Sequence, residues 1–546
     1  MQRFTVFALA LAMALSACSR SDGGGAPAAG GRHPWTKPGL LRMANLVDPD
    51  SLNPLLSTSQ ISVDLSMFWA GYLFNFDDKN QLVPELATTV PTLVNGGIAR
   101  DGRTITYHLR RGVTWQDGAP FGADDVAFSW RAIVNPNTNV QTRTGYDDVT
   151  AIDTPDRYTA VVHLKRAFAP FVNSFLTMGS TPYPVLPKHA LARYHDLNQV
   201  PYNSAPLGTG PFRVVEWHRG QTLRMIANPH YWRGAPKLSE VQYRVIPDGN
   251  TLMTSVQTHE IDFWYNAQAT LYPTASKITG THAVLTPFTQ YSQIGFNTTR
   301  PVVADPRVRR ALAYATDRKH LIDLVTYGVQ TLGDGDQPES SWARDPHLPS
   351  LPYDPAKARA LLDGAGWHPG PDGIRSKNGQ RLRLEVAGIT GNAVGARLAV
   401  LLQSAWKDVG AEVEVKNYAS GIMLANQQSG GIIQGGKFDV EFSSWINGID
   451  PDDSTVLMCD QIPPNGQNVF RFCNHDLDAA ERIALASNDP AVRAREYAKV
   501  QRILVDQVPF ITSWFWRHMD VVSDDLHGYK PAHAVTTLWN TWEYSI

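Results

Sequence analysis

The chain is 546 residues long, and 43% of its residues are apolar while 18% are charged. Its 49 basic and 51 acidic side chains give a formal net charge of −2. This balance excludes a strongly basic nucleic-acid-binding protein and argues against a polybasic patch that binds a membrane. Because one hydrophobic core rarely serves more than about 250–300 residues, the length predicts two or more lobes.

The first twenty residues have the layout of a secretory signal. One early charge, Arg3, precedes an apolar run over residues 6–15, far shorter than the ~20 apolar residues of a membrane-spanning helix. The following Leu15-Ser16-Ala17-Cys18 resembles a bacterial lipobox, whose cysteine becomes the lipidated first residue of the mature protein. We therefore expect a signal peptide over 1–17 and lipid attachment at Cys18. The alternative is an ordinary signal peptide with a chance cysteine.

Residues 18–37 are mostly small or polar and rich in glycine, which is typical of a flexible tether. The lipid would hold the protein outside the cytoplasm, anchored to a membrane surface. In a cell with two membranes, Ser19 after the lipidated cysteine resembles the signal for onward sorting to the outer membrane.

The sequence contains three cysteines. With Cys18 assigned to the lipid, Cys459 and Cys473 remain, and they enclose a short loop rich in proline, asparagine and glycine. In an oxidising compartment this pair predicts a disulfide. Two free thiols are the alternative, since spacing along the sequence does not fix the distance between the Cα atoms.

Strand and helix patterns alternate along the chain, which predicts a mixed α/β protein. Apolar alternation indicates strands at 105–109 and 158–164. Helices are predicted at 123–130, where acids occupy the first turn, and at 306–315 and 354–362, where proline lies at the start.

The order of several short motifs resembles that of a known family. The longest, residues 109–126, combines a basic residue, glycine, an aromatic residue, acid-glycine, proline-phenylalanine and acid-valine. Shorter matches follow at Gly208–Phe212, Asn228–Gly234, Phe296–Asn297 and Asp305–Leu312. The chain is therefore similar to the extracytoplasmic solute-binding proteins of family 5, which serve ABC importers of peptides, dipeptides and nickel.

This resemblance implies a two-lobed α/β fold of the periplasmic binding protein type (class II, cluster C), with a hinged ligand cleft and an extra inserted domain. The implied boundaries are 38–83, 206–290 and 512–546 for the sheet domain of lobe 1, 84–205 for the inserted domain, and 291–511 for lobe 2. Ligand contacts with both lobes exist only in the closed state, so a ligand shifts the open–closed balance.

The resemblance also implies a monomer that captures a peptide-like ligand and delivers it to ABC permease subunits. ATP would be hydrolysed by a separate cytoplasmic subunit, so no cofactor is expected in this chain. One alternative is a non-peptide or amino-blocked ligand, such as an opine, an oligosaccharide or a metal chelate. Another is a receptor that senses its ligand without transporting it.

Catalytic motifs are weak in this sequence. Residues 431–438 mimic a phosphate-binding loop, but Phe438 replaces the hydroxyl residue that such a loop requires. The sequence contains neither a Gly-x-Ser-x-Gly elbow nor a His-Glu-x-x-His zinc helix. We therefore expect neither an enzyme nor a metal site.

The segment 443–452 is expected to contact the ligand, because relatives carry a tryptophan here, matched by Trp445, and then an aspartate that binds the peptide's α-amino group. Matching on Asp450-Pro451-Asp452 puts Asn447 in the place of that aspartate. An amide accepts a hydrogen bond from an ammonium group without neutralising it, so recognition of a free amino terminus is in doubt. Asp450, three residues further on, is the candidate acid that would take the place of that aspartate. The alternatives are a core position for Trp445 and a turn acid for Asp450.

Two further segments are candidate ligand contacts. Thr58 and Ser59 match a family segment that borders the cleft, and a solvated loop is an equal alternative. Trp264 and Tyr265 end a predicted strand near the hinge and offer flat apolar surface to a ligand. Core packing is the alternative for this pair.

Overall fold

The computed structural model describes residues 31–57, 59–179, 182–533 and 535–546. Its strands are β1 (Leu40–Asn45), β2 (Phe74–Phe76), β3 (Leu82–Pro84), β4 (Thr104–His108), β5 (Val149–Asp156), β6 (Thr159–Leu164), β7 (Phe212–His218), β8 (Thr222–Ala227), β9 (Glu240–Val245), β10 (Phe263–Trp264), β11 (Thr281–Phe296), β12 (His368–Pro369), β13 (Arg375–Lys377), β14 (Gln380–Arg381), β15 (Arg383–Ile389), β16 (Glu412–Tyr418), β17 (Val440–Ile446) and β18 (Phe510–Ser523).

The helices alternate with these strands, which confirms the α/β class. They are α1 (Gln60–Ser66), α2 (Ala123–Val134), α3 (Phe171–Ser174), α4 (Lys188–Leu191), α5 (Gly249–Gln257), α6 (Tyr272–Ala275), α7 (Pro306–Tyr314), α8 (Arg318–Thr326), α9 (Pro355–Gly364), α10 (Ala393–Lys407), α11 (Ser420–Met423), α12 (Ser454–Leu457), α13 (His475–Ala486) and α14 (Pro490–Gln507).

Aspartate followed by proline starts three of the long helices. The carboxylates of Asp305, Asp354 and Asp489 accept hydrogen bonds from backbone N–H groups in the first turns of α7, α9 and α14. Such caps satisfy donors that have no partner inside the helix, and proline at the next position loses nothing because its missing N–H would be unpaired there. The helices predicted at 306–315 and 354–362 are confirmed.

One ten-stranded sheet runs through the molecule in the order β16-β15-β17-β11-β18-β10-β1-β9-β8-β7. Its two longest strands, β11 with 16 residues and β18 with 14, pair antiparallel at its centre. One half of β11 also pairs with β17, and the far end of β18 pairs with β10. The two strands therefore belong to both halves of the sheet, where the predicted boundaries place lobe 1 and lobe 2.

A register shift interrupts the pairing of these two strands. Pro287 lies opposite Arg517 and Tyr291 opposite Phe515, so residues 288–290 of β11 face only Trp516 of β18. Extra residues on one strand bend it and increase its local twist. We call residues 287–291 the bulge; it lies where the two halves of the sheet meet.

Separate cores lie under the two halves of the sheet and under a third unit. The third unit contains the sheet β4-β6-β5 and a core built around buried aromatic residues such as Tyr107, Tyr146 and Phe175. These residues fall within the range 84–205 predicted for the inserted domain. At least three separate cores agree with the two or more lobes expected from chain length.

Cys459 and Cys473 form a disulfide, with their Cα atoms 4.6 Å apart, so the predicted bridge is present. Cys18 lies outside the described residues. Among the residues that are described, no helix combines the length and apolar character needed to cross a membrane.

Candidate ligand-binding cleft

The segment that follows β17, residues 447–453, lies between the two halves of the molecule, and we call it the cleft loop. The backbone N–H of Asn447 donates to the carbonyl of Thr289 in the bulge, at 3.0 Å. Ile449 packs with Phe76 and Trp539, which come from segments assigned to lobe 1. The cleft loop therefore contacts both the central strands and the opposite lobe.

Asn447 holds the start of the cleft loop through its amide nitrogen. Its Nδ2 donates to the carbonyl of Asp336 at 3.1 Å and to Oδ2 of Asp453 at 3.3 Å. Its side-chain oxygen is buried and has no hydrogen-bond partner. The side-chain oxygen is thus fixed in orientation and accepts no hydrogen bond from the protein, and its contact with ligand stays a prediction.

Other polar atoms near the bulge are also buried without a partner. They are Oγ1 of Thr289, Nε of Arg517 and Nε2 of Gln330. Arg517 lies opposite Pro287 of the bulge, and its backbone N–H donates to Gln330. These unpaired donors and acceptors lie close together, where the cleft loop meets the bulge.

Trp445 is half-buried. It lies opposite Tyr291 on the neighbouring strand and packs against an apolar cluster of lobe 2. One part of its ring is thus in the core while the rest is accessible, which is compatible with both interpretations of the sequence. Its contact with ligand stays a prediction.

Asp450 has a different role from the one expected. Its carboxylate accepts from both terminal nitrogens of Arg493, at 2.8 and 2.5 Å, and from Nδ2 of Asn173 at 3.0 Å. It is only 2% exposed. Because both oxygens already have protein partners, Asp450 is not free to accept from a ligand ammonium group, and it is not a solvated turn acid either.

Trp264 and Tyr265 are core residues. Trp264 is fully buried among residues that include Leu252 and Met519, and Tyr265 packs with Phe263 and the ring of His518. Neither ring presents a surface to a cleft. The expectation that they contact ligand is corrected in favour of the core alternative.

Ser59 is half-buried and immediately precedes α1, where its backbone N–H donates to the hydroxyl of Ser57. Gln60, the first residue of α1, donates to Asp64 and to the carbonyl of Val535. The start of α1 is therefore fastened to the C-terminal segment of lobe 1. Thr58 lies outside the described residues, so the contact predicted for Thr58 and Ser59 stays a prediction.

Sequence reasoning missed a group of buried carboxyls behind the cleft loop. Burial raises the pKa values of Asp336, Asp453 and Glu481, and the nearby Asp336 raises the pKa of Asp453 further. Two carboxyls close together in a dry interior do not both ionise readily, because the second negative charge is repelled by the first. In the sequence, only the adjacent acids Asp452-Asp453 point to this group of carboxyls, and two neighbouring acids by themselves favour a solvated turn.

A second polar group lies under α1. Burial raises the pKa of Asp64 to about 6. Burial alone would lower the pKa of His518, but the neighbouring Asp520 and Asp64 raise it above its usual value. The phenol of Tyr529 donates to Asp520, which fixes the acid beside His518. These groups join α1 to β18 at the lobe 1 end of the central strands.

A cavity of about 740 Å³ lies between the inserted domain and lobe 2, and we call it the side groove. Its lining is mostly apolar, and Asn173 and Arg493 are part of it. The other lining residues are Leu82, Val90, Pro91, Thr92, Leu93, Val94, Ile98, Ala169, Val172, Trp342, Asn488, Asp489 and Pro490. Because its walls come from two units, the groove has this shape only while those units are in contact.

Residues 81–463 match the family model described as "Bacterial extracellular solute-binding proteins, family 5 Middle". The chain belongs to family 5 of the bacterial extracellular solute-binding proteins. The resemblance inferred from the motifs is confirmed. The match covers the inserted domain, the bulge and the cleft loop, so the family assignment includes the parts of the chain that form the cleft.

Individual members of family 5 are similar along most of their length. The oligopeptide-binding protein AppA of Bacillus subtilis is 28% identical over 538 residues, which is 97% of this chain and 96% of that protein. Its structure with a nonapeptide gives a TM-score of 0.73 at 26% identity and covers 93% of this chain and 99% of that one.

A nickel-binding relative is equally similar in structure. NikZ from Campylobacter jejuni in complex with Ni(L-His) has a TM-score of 0.76 at 25% identity, covering 94% of this chain and 100% of that one. The two-lobed fold of family 5 binding proteins is thus confirmed for this chain. These homologues are solute-binding proteins, and their ligands range from a peptide to a metal complex.

Proposed function

We propose that this protein is the extracytoplasmic substrate-binding lipoprotein of an ABC importer, and that it captures a peptide-like ligand between its lobes and delivers it to the permease. The observation that carries the proposal is the group of unpaired buried polar atoms around the bulge, on Thr289, Gln330, Asn447 and Arg517. A ligand with both donors and acceptors, such as a peptide main chain, would satisfy them.

Main-chain recognition explains how such a receptor tolerates different sequences, because every peptide carries the same backbone donors and acceptors. Closure of the lobes would remove water from these groups and strengthen each hydrogen bond. Trp445, in β17 two residues before the cleft loop, would supply apolar surface for a side chain of the cargo. Ser59 and Thr58 would border the same space from lobe 1.

Asn447 favours a second candidate cargo, a peptide-like ligand whose amino group is blocked or absent. An amide oxygen accepts from an amide N–H as well as from an ammonium group but neutralises neither, and Asp450 is occupied by Arg493. Nothing at this position therefore rewards a free positive charge as an ionised acid would. We expect the binding protein to accept N-acetylated ligands.

Calorimetry with matched peptides tests this proposal. Native mass spectrometry of unlipidated protein exposed to a tryptic digest of casein first identifies bound peptides, which are then synthesised with free and acetylated amino termini. We expect affinities that agree within about threefold, because the hydrogen bond to Asn447 is available to both. A loss of more than about a hundredfold on acetylation would contradict the inference from Asn447, and binding of no peptide at all would contradict the peptide class.

The lipid anchor is tested separately. We expect the variant Cys18→Ala to appear in the soluble extracytoplasmic fraction, while the wild type stays with membranes, because a mature protein without acyl chains has no hydrophobic attachment. The matched control is Ser19→Ala, which leaves the cysteine in place. Membrane retention of the Cys18→Ala protein would overturn the anchor assignment.

A further inference from the structure

A hydrogen bond crosses from the inserted domain to lobe 2 at the cleft loop. Nδ2 of Asn173, in α3, donates to Oδ2 of Asp450 at 3.0 Å, although the two residues are 277 positions apart. Close by, the backbone N–H of Ala169 donates to the carbonyl of Leu485 at the end of α13, at 2.8 Å. The inserted domain is therefore bonded to lobe 2 at two points beside the side groove.

The acceptor for Asn173 is built entirely within lobe 2. Arg493, in α14, holds both oxygens of Asp450 and also donates to the carbonyl of Ala484 at 3.1 Å and to the hydroxyl of Tyr497 at 3.0 Å. These bonds use four of the five N–H donors of the guanidinium and involve no group from the inserted domain. Asp450 thus keeps its position when the lobes separate, and of its hydrogen bonds only the one from Asn173 is lost.

The same cleft loop carries the predicted ligand contact. Asn447 lies three residues before Asp450, and Ile449, between them, packs on Phe76 and Trp539 of lobe 1. A ligand that fixes Asn447 therefore also fixes the backbone that positions Asp450. Ligand contact and lobe contact are coupled through a loop of seven residues.

We propose that Asn173, Asp450 and Arg493 form a latch that stabilises the closed conformation of the two lobes. The inference rests on the hinged closure that the proposed function requires, but it does not depend on the identity of the cargo. Asn173 is a positioning residue: it acts on affinity through the open–closed balance and does not itself touch the ligand. A ligand then needs to supply less of the free energy of closure.

The closed fraction of ligand-free protein tests the latch directly. Dyes attached to Thr150→Cys in the inserted domain and Lys407→Cys in lobe 2, both exposed positions, report the separation by single-molecule energy transfer. A hydrogen bond to a charged acceptor justifies an expected fall of about 10–100-fold in the closed-to-open ratio for Asn173→Ala. The variant Asn173→Asp, which puts a second carboxylate beside Asp450, is expected to lower the ratio further.

The matched control is Asn139→Ala, also in the inserted domain, whose side chain is exposed and whose backbone N–H alone is bonded. We expect it to leave the ratio unchanged. Asn173 is half-buried at the surface of a short helix, so its replacement leaves the core intact, and an unchanged melting temperature verifies this.

Equal closed fractions in wild type and Asn173→Ala, including the case in which both are fully open, would overturn the latch. Because the measurement uses no ligand, its failure is distinct from failure of the proposed function. If the closed fraction depends on Asn173 but no peptide binds, the latch proposal stands and the proposal of a peptide cargo is contradicted.

Discussion

The cleft loop and the strand end at Trp264–Tyr265 show how differently two predicted ligand contacts are built. The strand end is apolar, fully buried and packed on all sides. The cleft loop is also largely buried, but Asn447 leaves an acceptor unpaired beside the bulge. The indole nitrogen of Trp264 is unpaired as well, so an unpaired buried atom alone does not distinguish a binding surface from a core. The cleft loop differs because it lies between the two lobes, where several such atoms meet.

The largest expected effect tests the assignment of Trp264 to the core. The change Trp264→Ala removes a fully buried indole and should lower the free energy of unfolding by about 3–5 kcal/mol, with little effect on the affinity of the protein that remains folded. Urea unfolding and calorimetry measure the two quantities. The control Trp445→Ala, at the half-buried tryptophan, should show the reverse pattern, and a loss of affinity for Trp264→Ala at unchanged stability would contradict the core assignment.

The pH dependence of stability tests the buried acid in β17, the strand that leads into the cleft loop. Burial raises the pKa of Glu441, in β17, to about 8, against 4.5 for a glutamate in water. The folded state therefore holds a proton that the unfolded state has released between these values, so stability falls as pH rises from about 5 to 8. We expect Glu441→Gln to recover roughly 2–4 kcal/mol of this loss at pH 8.

Thermal unfolding across this pH range provides the measurement. Some dependence should persist in the variant, because burial also raises the pKa values of Glu85, to about 7, and Asp64, to about 6. A surface change such as Glu216→Gln serves as the control. Identical pH profiles for wild type and Glu441→Gln would show that Glu441 does not titrate in this range.

The smallest expected effect on stability comes from the cleft loop itself. The change Asn447→Ala removes two hydrogen bonds donated by Nδ2 but no bond to Oδ1, so the free energy of unfolding should fall by about 2 kcal/mol. Affinity for a bound peptide should fall about tenfold, as measured by calorimetry. The control is Asn297→Ala, a buried amide bonded to Gly436 and Thr299, which should lose stability and keep its affinity. Equal affinities for wild type and Asn447→Ala would remove Asn447 from the site.

Local signals in the sequence predicted much of the fold. Asp-Pro pairs placed the starts of α7 and α9, and the alternation of apolar residues placed β4 and β6. The disulfide was also predictable, because assigning Cys18 to the lipid leaves one pair. The residues that determine a helix start or a strand lie within a few positions of one another. The disulfide is predictable because only two cysteines remain to pair.

The site was only partly predictable because its partners are distant in sequence. Asp450 depends on Arg493 and Asn173, which lie 43 and 277 positions away. Without them, an acid before proline has the pattern of either a ligand contact or a turn. Similarly, Trp264 has the same local pattern as an exposed aromatic residue, and only the packing of Leu252 and Met519 against it identifies the core.

The side groove has a pharmacological consequence. Because its walls are contributed by the inserted domain and by lobe 2, a small molecule that fills its 740 Å³ would bind the closed conformation alone. By reciprocity, such a compound would tighten the hold on the cargo by the same factor that the cargo tightens the hold on the compound. For the importer proposed above, an inhibitor of this kind would act by preventing release of the cargo, and cells that depend on that cargo would be starved.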